Sequence, residues 1–219
     1  MKTNTELQRD VQDELNWAPN ITAGEIGVIA KDGIITLTGS VPSYFEKYAA
    51  EKVAGRVAGV LGIAEELKVN LPAFSERTDT DIAESALSAL AWNIAVPHDQ
   101  AKVKVENSWV TLTGQMDWYF QKMAAENTVR HLMGVKGVTN SITLKPRGAT
   151  IAAEIKSTIE KAFKRAALLE AHRITVTVHD GHVTLDGQAH TWQEKDDARE
   201  YAWATPGVSS VKNNIAVVY

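Results

Sequence analysis

The chain of 219 residues contains no cysteine. That excludes disulfide frameworks, thiolate metal sites and cysteine nucleophiles. Long hydrophobic runs are absent, and the longest fall far short of the roughly 20 apolar residues that span a bilayer. The opening Met1-Lys-Thr-Asn-Thr-Glu leads straight into an amphipathic pattern with no apolar stretch of secretory type. The expected location is therefore the cytoplasm, with peripheral membrane contact compatible. Basic excess is also missing: Lys plus Arg number 23 against 27 Asp plus Glu, a net charge of −4. No third of the chain is basic, so the electrostatic footprint of a nucleic-acid binder is absent. Nor is there a Gly-x-Ser-x-Gly, a His-Glu-x-x-His or a phosphate-cradling glycine loop. The expectation is a protein without enzymatic activity, cofactor or metal.

What is present is a threefold repeat. Gly33-Ile-Ile-Thr-Leu-Thr-Gly39, Ser108-Trp-Val-Thr-Leu-Thr-Gly114 and Gly181-His-Val-Thr-Leu-Asp-Gly187 align directly. At constant spacing after each comes a Gly-Val pair: Gly59-Val60, Gly134-Val135 and Gly207-Val208. The sequence thus predicts three small modules over residues 1–72, 73–146 and 147–219.

Each module reads as helix, strand, strand, helix, strand. The first helix carries apolar residues at i, i+4 and i+8: Leu7, Val11, Leu15, then Ile82, Ala86, Leu90, then Ile155, Ile159, Phe163. Thr3 with Glu6 and Thr78 with Asp81 have capping-box spacing; the third copy offers only Thr150 with Ala153. Two alternating strands flank Asp32-Gly33, Asn107-Ser108 and Asp180-Gly181, signalling a type I′ hairpin turn. The glycines Gly39, Gly114 and Gly187 are expected to end the second strand in a conformation closed to residues with a Cβ. Gly59, Gly134 and Gly207 are likewise expected to be structural. The second helix has a small-residue face, for example Ala50, Ala54 and Val57. A right-handed crossover makes the third strand parallel to the second. The predicted class is α+β: three tandem α-β-β-α-β modules, each a three-stranded sheet with two helices on one face. A module of about 70 residues has a thin core, so packing of module on module, or of copies of the chain, is expected.

This pattern resembles the BON-domain family, most plainly in Gly181 to Gly187 and in Pro206-Gly-Val-Ser-Ser-Val-Lys-Asn-Asn-Ile-Ala-Val217. The resemblance implies the α-β-β-α-β fold without a catalytic motif. It also implies binding to phospholipid membranes, often in envelope or osmotic-stress settings, and potassium binding in some cytoplasmic members.

Candidate contact residues recur at the start of the second helix. Tyr44, Tyr119 and Trp192 share one position, extended in the first two modules as Tyr44-Phe45 and Trp118-Tyr119-Phe120. Such aromatics either enter a membrane interface or cap the module core. Lys47, Lys122 and Lys195 follow. They either meet lipid phosphate or, in the first two modules, pair with Glu51 and Glu126 at i+4. Trp17 and Trp92 share one position, Arg165 in the third copy, and read as core packing near a module edge. Trp109 has outward parity in its hairpin, as does Ile34, and is expected on the open sheet face, where a partner surface would cover it. His179 and His182 flank the third turn, a weak metal site at most. Two functions follow: phospholipid association through Trp118, Tyr119, Phe120 and Lys122, or a protein–protein scaffold using Trp109 and the open sheet faces. Small-solute or ion binding is a third.

Overall fold

The computed structural model describes residues 2–97, 99–145, 152–166 and 173–218. The first module comprises α1 (Asn4–Trp17), β1 (Ile26–Lys31), β2 (Ile34–Val41), α2 (Tyr44–Ala54), β3 (Gly62–Glu65) and β4 (Lys68–Val69). The second repeats it as α3 (Asp79–Trp92), β5 (Ala101–Glu106), β6 (Trp109–Met116), α4 (Tyr119–Arg130), β7 (Gly137–Asn140) and β8 (Thr143–Leu144). The third contains α5 (Ala152–Arg165), β9 (Ile174–His179), β10 (His182–Ala189), α6 (Trp192–Trp203), β11 (Ser210–Asn213) and β12 (Ala216–Val217). The fold is α+β in three tandem copies.

Both capping boxes form. Glu6 N donates to Thr3 Oγ1 at 3.2 Å while Thr3 N donates to the Glu6 carboxylate at 2.8 Å. Thr78 and Asp81 repeat the exchange. Thr150 lies outside the described residues. The hairpin turns hold positive φ at both central residues: 51° and 82° at Asp32-Gly33, 52° and 65° at Asn107-Ser108, 48° and 78° at Asp180-Gly181. In the second module the Asp79 carboxylate receives both turn N–H groups, of Asn107 and Ser108, at 2.8 Å each.

In each sheet the middle strand pairs antiparallel with its hairpin partner and parallel with the crossover strand. The third strand is broken into two pieces that both pair with the middle one, so four strand segments fill three positions. The glycines at 39, 114 and 187 do not end the second strand, which continues two residues further. Their φ values are 107°, 137° and 138°. A Cβ there would stand 2.1, 2.0 and 2.0 Å from the carbonyl oxygens of Glu25, Gln100 and Arg173. Close approach of two backbones sets this requirement. Gly59, Gly134 and Gly207, after the second helix, have φ of 101°, 88° and 90°.

Each module has its own core on one sheet face. Leu7, Val11 and Leu15 meet Ile35, Leu37 and Ala50 in the first, and the equivalent residues do so in the others. The opposite face is open, with Ile29, Ile34 and Trp109 exposed.

Trp17 and Trp92 correct the expectation of core packing. They are 84% and 88% exposed. The reason lies in helical geometry. Leu15 and Leu90 are the last inward positions, and a residue two further on lies about 200° around the helix, on the far side. Ile94, just past α3, is also fully exposed.

Candidate functional site

The starts of the second helices do not stand free. Each meets the next module. Tyr44 packs on the core of the second module, and Phe45 lies 4.9 Å, centroid to centroid, from His131. Tyr119 stacks on Trp203 of the third module at 4.9 Å and 5°. Trp192 returns to the first module and lies on Gly55, where an added Cβ would be 3.3 Å from its ring. The receiving residues Gly55, Arg130 and Trp203 occupy one position of the repeat, in the last turn of the second helix or just beyond it. The three contacts are therefore one head-to-tail contact used three times, and it closes on itself. A heterologous contact whose rotation closes makes a ring.

Polar groups reinforce the ring. Arg130 is 4% exposed. Its guanidinium lies 3.5 Å from the centroid of the Tyr48 ring, and it donates to Glu126 at 2.5 Å and Asn127 at 2.7 Å. Lys52 of the first module pairs with Asp196 of the third, which also holds Arg199 at 3.1 Å. Burial works against the Lys52 charge, but the hydrogen bond and charge of Asp196 outweigh it and hold Lys52 above the ordinary lysine value. Burial raises the phenols of Tyr44 and Tyr119, the Arg130 charge opposing it at Tyr44 and that of Arg199 at Tyr119.

Two of the three shared lysines turn inward within their own modules. Lys47 Nζ donates to the Leu67 carbonyl at 2.6 Å and pairs with Glu65 at 2.7 Å. Lys122 Nζ donates to the Ile142 carbonyl at 2.7 Å. Leu67 and Ile142 sit in the break of the third strand, where the carbonyl is released from the ladder. Burial lowers the Lys122 pKa, against the pull of Glu126. Lys195 lies 5.0 Å over the Trp192 ring. At the position of Glu65 the other modules carry Asn140 and Asn213, whose side chains donate to the backbone carbonyls of Lys122 and Lys195. These strand-to-helix ties carried no sequence signal beyond the recurring Asn.

The structure separates the other candidates. Trp118 is half-buried and lines a crevice with Trp203 and Pro206. Phe120 is 58% exposed and faces a cleft between α4 and α6. Trp109 is 46% exposed on the open sheet face; its ring covers Gly137 and its Nε1 donates to Thr139 at 2.8 Å. His179 and His182 are cross-strand partners. Each has another neighbour: His179 is 3.1 Å from Asp180, and His182 is 2.6 Å from the Ser210 hydroxyl. No described helix is long and apolar enough to cross a membrane.

The architecture defines a class: a repeat protein of three fused α-β-β-α-β modules closed into a ring. The family model of the BON domain matches residues 3–70, 78–146 and 150–219, and the chain belongs to that family. It is 31% identical over 132 residues to osmotically-inducible protein Y of Escherichia coli (strain K12), a match covering 58% of this chain and 65% of that protein. The matched region thus spans just under two thirds of that relative's length. Among solved structures, CdsD, a structural protein of the type III secretion system of Chlamydia trachomatis, aligns with a TM-score of 0.27 and 11% identity, covering 96% of this chain and 91% of that one. A structure of the C-terminal domain of CdsD gives 0.27 and 12%, covering 100% of both chains.

Proposed function

We propose that the protein is a non-enzymatic binding protein that associates peripherally with phospholipid surfaces through Trp17, Trp92 and Ile94. The observation that carries this reading is the exposure of two tryptophans at one repeat position, with a fully exposed isoleucine beside the second. A tryptophan whose ring finds no cover in its own fold suits the interface, where its apolar body is buried and its N–H stays wet. The aromatics Tyr44, Tyr119 and Trp192 lie in module contacts instead, so the contact edge moves away from the second-helix starts. Phe120 is the member of that earlier set with the most open ring. The net charge of −4 makes zwitterionic vesicles better partners than anionic ones, since no basic cluster offsets repulsion. Osmotic stress is the proposed setting, on the likeness to osmotically-inducible protein Y.

Vesicle co-sedimentation tests the reading. Zwitterionic vesicles should pellet the protein. The Trp17→Ala/Trp92→Ala variant should lose most of that binding with its circular dichroism unchanged. Absence of binding at low salt, or full binding by the double variant, overturns it. A scaffold function is favoured by Trp109 and Ile34 on the open sheet faces; it predicts instead that Trp109→Ala abolishes association with a protein partner.

A further inference from the structure

Beside the Tyr119–Trp203 stack, residues of α4 and α6 line an open cleft of about 590 Å³, with Tyr48 of α2 also in its wall. That volume is in the range of small-molecule sites. Its walls are aromatic: Tyr48, Tyr119, Phe120 and Tyr201. Tyr201 is held by an edge-on contact with Phe163, 6.4 Å between centroids at 83°, and Tyr119 by its stack on Trp203. Two rings are thus fixed before any ligand arrives.

The charge in the cleft has one sign. Asp197 and Glu200 line it, with no lysine or arginine in the lining. Asp197 accepts one hydrogen bond, from Gln193 at 2.7 Å. Among the described residues, neither carboxylate has an ion-pair partner. The cations nearby are committed elsewhere: Arg130 to Glu126, and Lys52 and Arg199 to Asp196. This negative charge belongs to the third module only. The counterparts of Asp197 are Ala49 and Ala124, and those of Glu200 are Lys52 and Asn127.

Aromatic faces with unpaired carboxylates recognise a weakly hydrated organic cation. The ring quadrupole attracts the charge, the apolar body fills the cleft, and the carboxylates balance the charge without a directed hydrogen bond. Arg130, buried and outside the lining, stacks its guanidinium on Tyr48. We infer that the cleft between α4 and α6 binds a quaternary ammonium group, held between Phe120 and Tyr201 and neutralised by Asp197 and Glu200. The same headgroup occurs on free solutes and on choline phospholipids. Two carboxylates in the lining repel a phosphate attached to the bound cation, which favours a free solute. This site is separate from the Trp17–Trp92 edge and stands whether or not that edge binds lipid.

Calorimetric titration of the full chain with choline chloride tests it, beside 3,3-dimethylbutan-1-ol, the neutral carbon isostere. Saturable choline binding is expected, with the isostere about tenfold weaker or worse. Asp197→Asn/Glu200→Gln should weaken choline by about tenfold and leave the isostere unchanged. Phe120→Ala, at an exposed position, should weaken both ligands with the fold intact. Phosphocholine distinguishes the sources: weaker binding than choline marks a free solute, equal or tighter binding marks the lipid headgroup. Equal affinity for choline and the isostere, no saturable heat with choline, or unaltered choline binding in the double carboxamide variant overturns the assignment.

Discussion

Ser108 holds φ of 65° in the second hairpin turn, where the first and third modules place glycine. A side chain in that region costs about 1 kcal/mol or more, part of which glycine returns through its freer unfolded chain. Ser108→Gly keeps the N–H that Asp79 receives, so it should stabilise the second module by about 0.5–1 kcal/mol, read from the urea midpoint. Gly114 is the opposite case. A Cβ there would sit 2.0 Å from the Gln100 carbonyl oxygen. Gly114→Ala should therefore destabilise the second module by at least about 2 kcal/mol, visible as early loss of amide protection in β5 and β6. Both residues were legible in the sequence, because a turn and a close backbone approach constrain residue type locally. Trp17 and Trp92 were not, because an aromatic at the last helical position fits a core or a bare surface equally well. Only the angle from Leu15 and Leu90 decides.

At the scale of the element, α1 and α3 depend on their capping boxes. The Thr3 backbone N–H holds the Glu6 carboxyl below its usual value, and the Thr78 hydroxyl does the same for Asp81. A carboxylate lowered in the fold contributes while charged. That contribution is complete above the ordinary values of 4.5 and 3.8 and is lost as pH falls through the lowered ones. The amide protection factors of Thr3 and Thr78, whose N–H groups donate to these carboxylates, should thus fall in acid before those of the strands do. Thr78→Ala should cost about 1 kcal/mol at neutral pH and weaken that acid dependence in α3, leaving the part carried by the backbone N–H of residue 78. The helix faces, hairpins and crossover direction were readable because period and turn chemistry are local. The break in the third strand was hidden. So was the turn of Lys47 and Lys122 toward the carbonyls it releases, which depends on two elements far apart in sequence meeting at that point.

At the scale of the molecule, one repeat position directs assembly. Trp192 is matched by Gly55, Tyr119 by Trp203, and Tyr44 by the neighbourhood of Arg130. The sequence announced that the modules would pack together but not how, because each contact joins residues that are ordinary within their own modules. Gly55 has a right-handed helical backbone, φ −67°, so a side chain there strains nothing inside the first module. Gly55→Leu should leave all three modules folded and open the ring between the first and third. The Lys52–Asp196 pair lies in that same contact. Because Lys52 is raised, its contribution is whole below 10.5 and is lost as pH climbs past the raised value. Trp192 emission should redden in strong alkali, and Lys52→Met should remove that step. The measurement that tests the closed ring most directly is small-angle scattering of the intact chain beside Gly55→Leu. Three modules in mutual contact predict a radius of gyration of about 20 Å for the native chain. The variant should move toward the value for modules strung in a row, about 26 Å. A native value already near that of the row would contradict the ring.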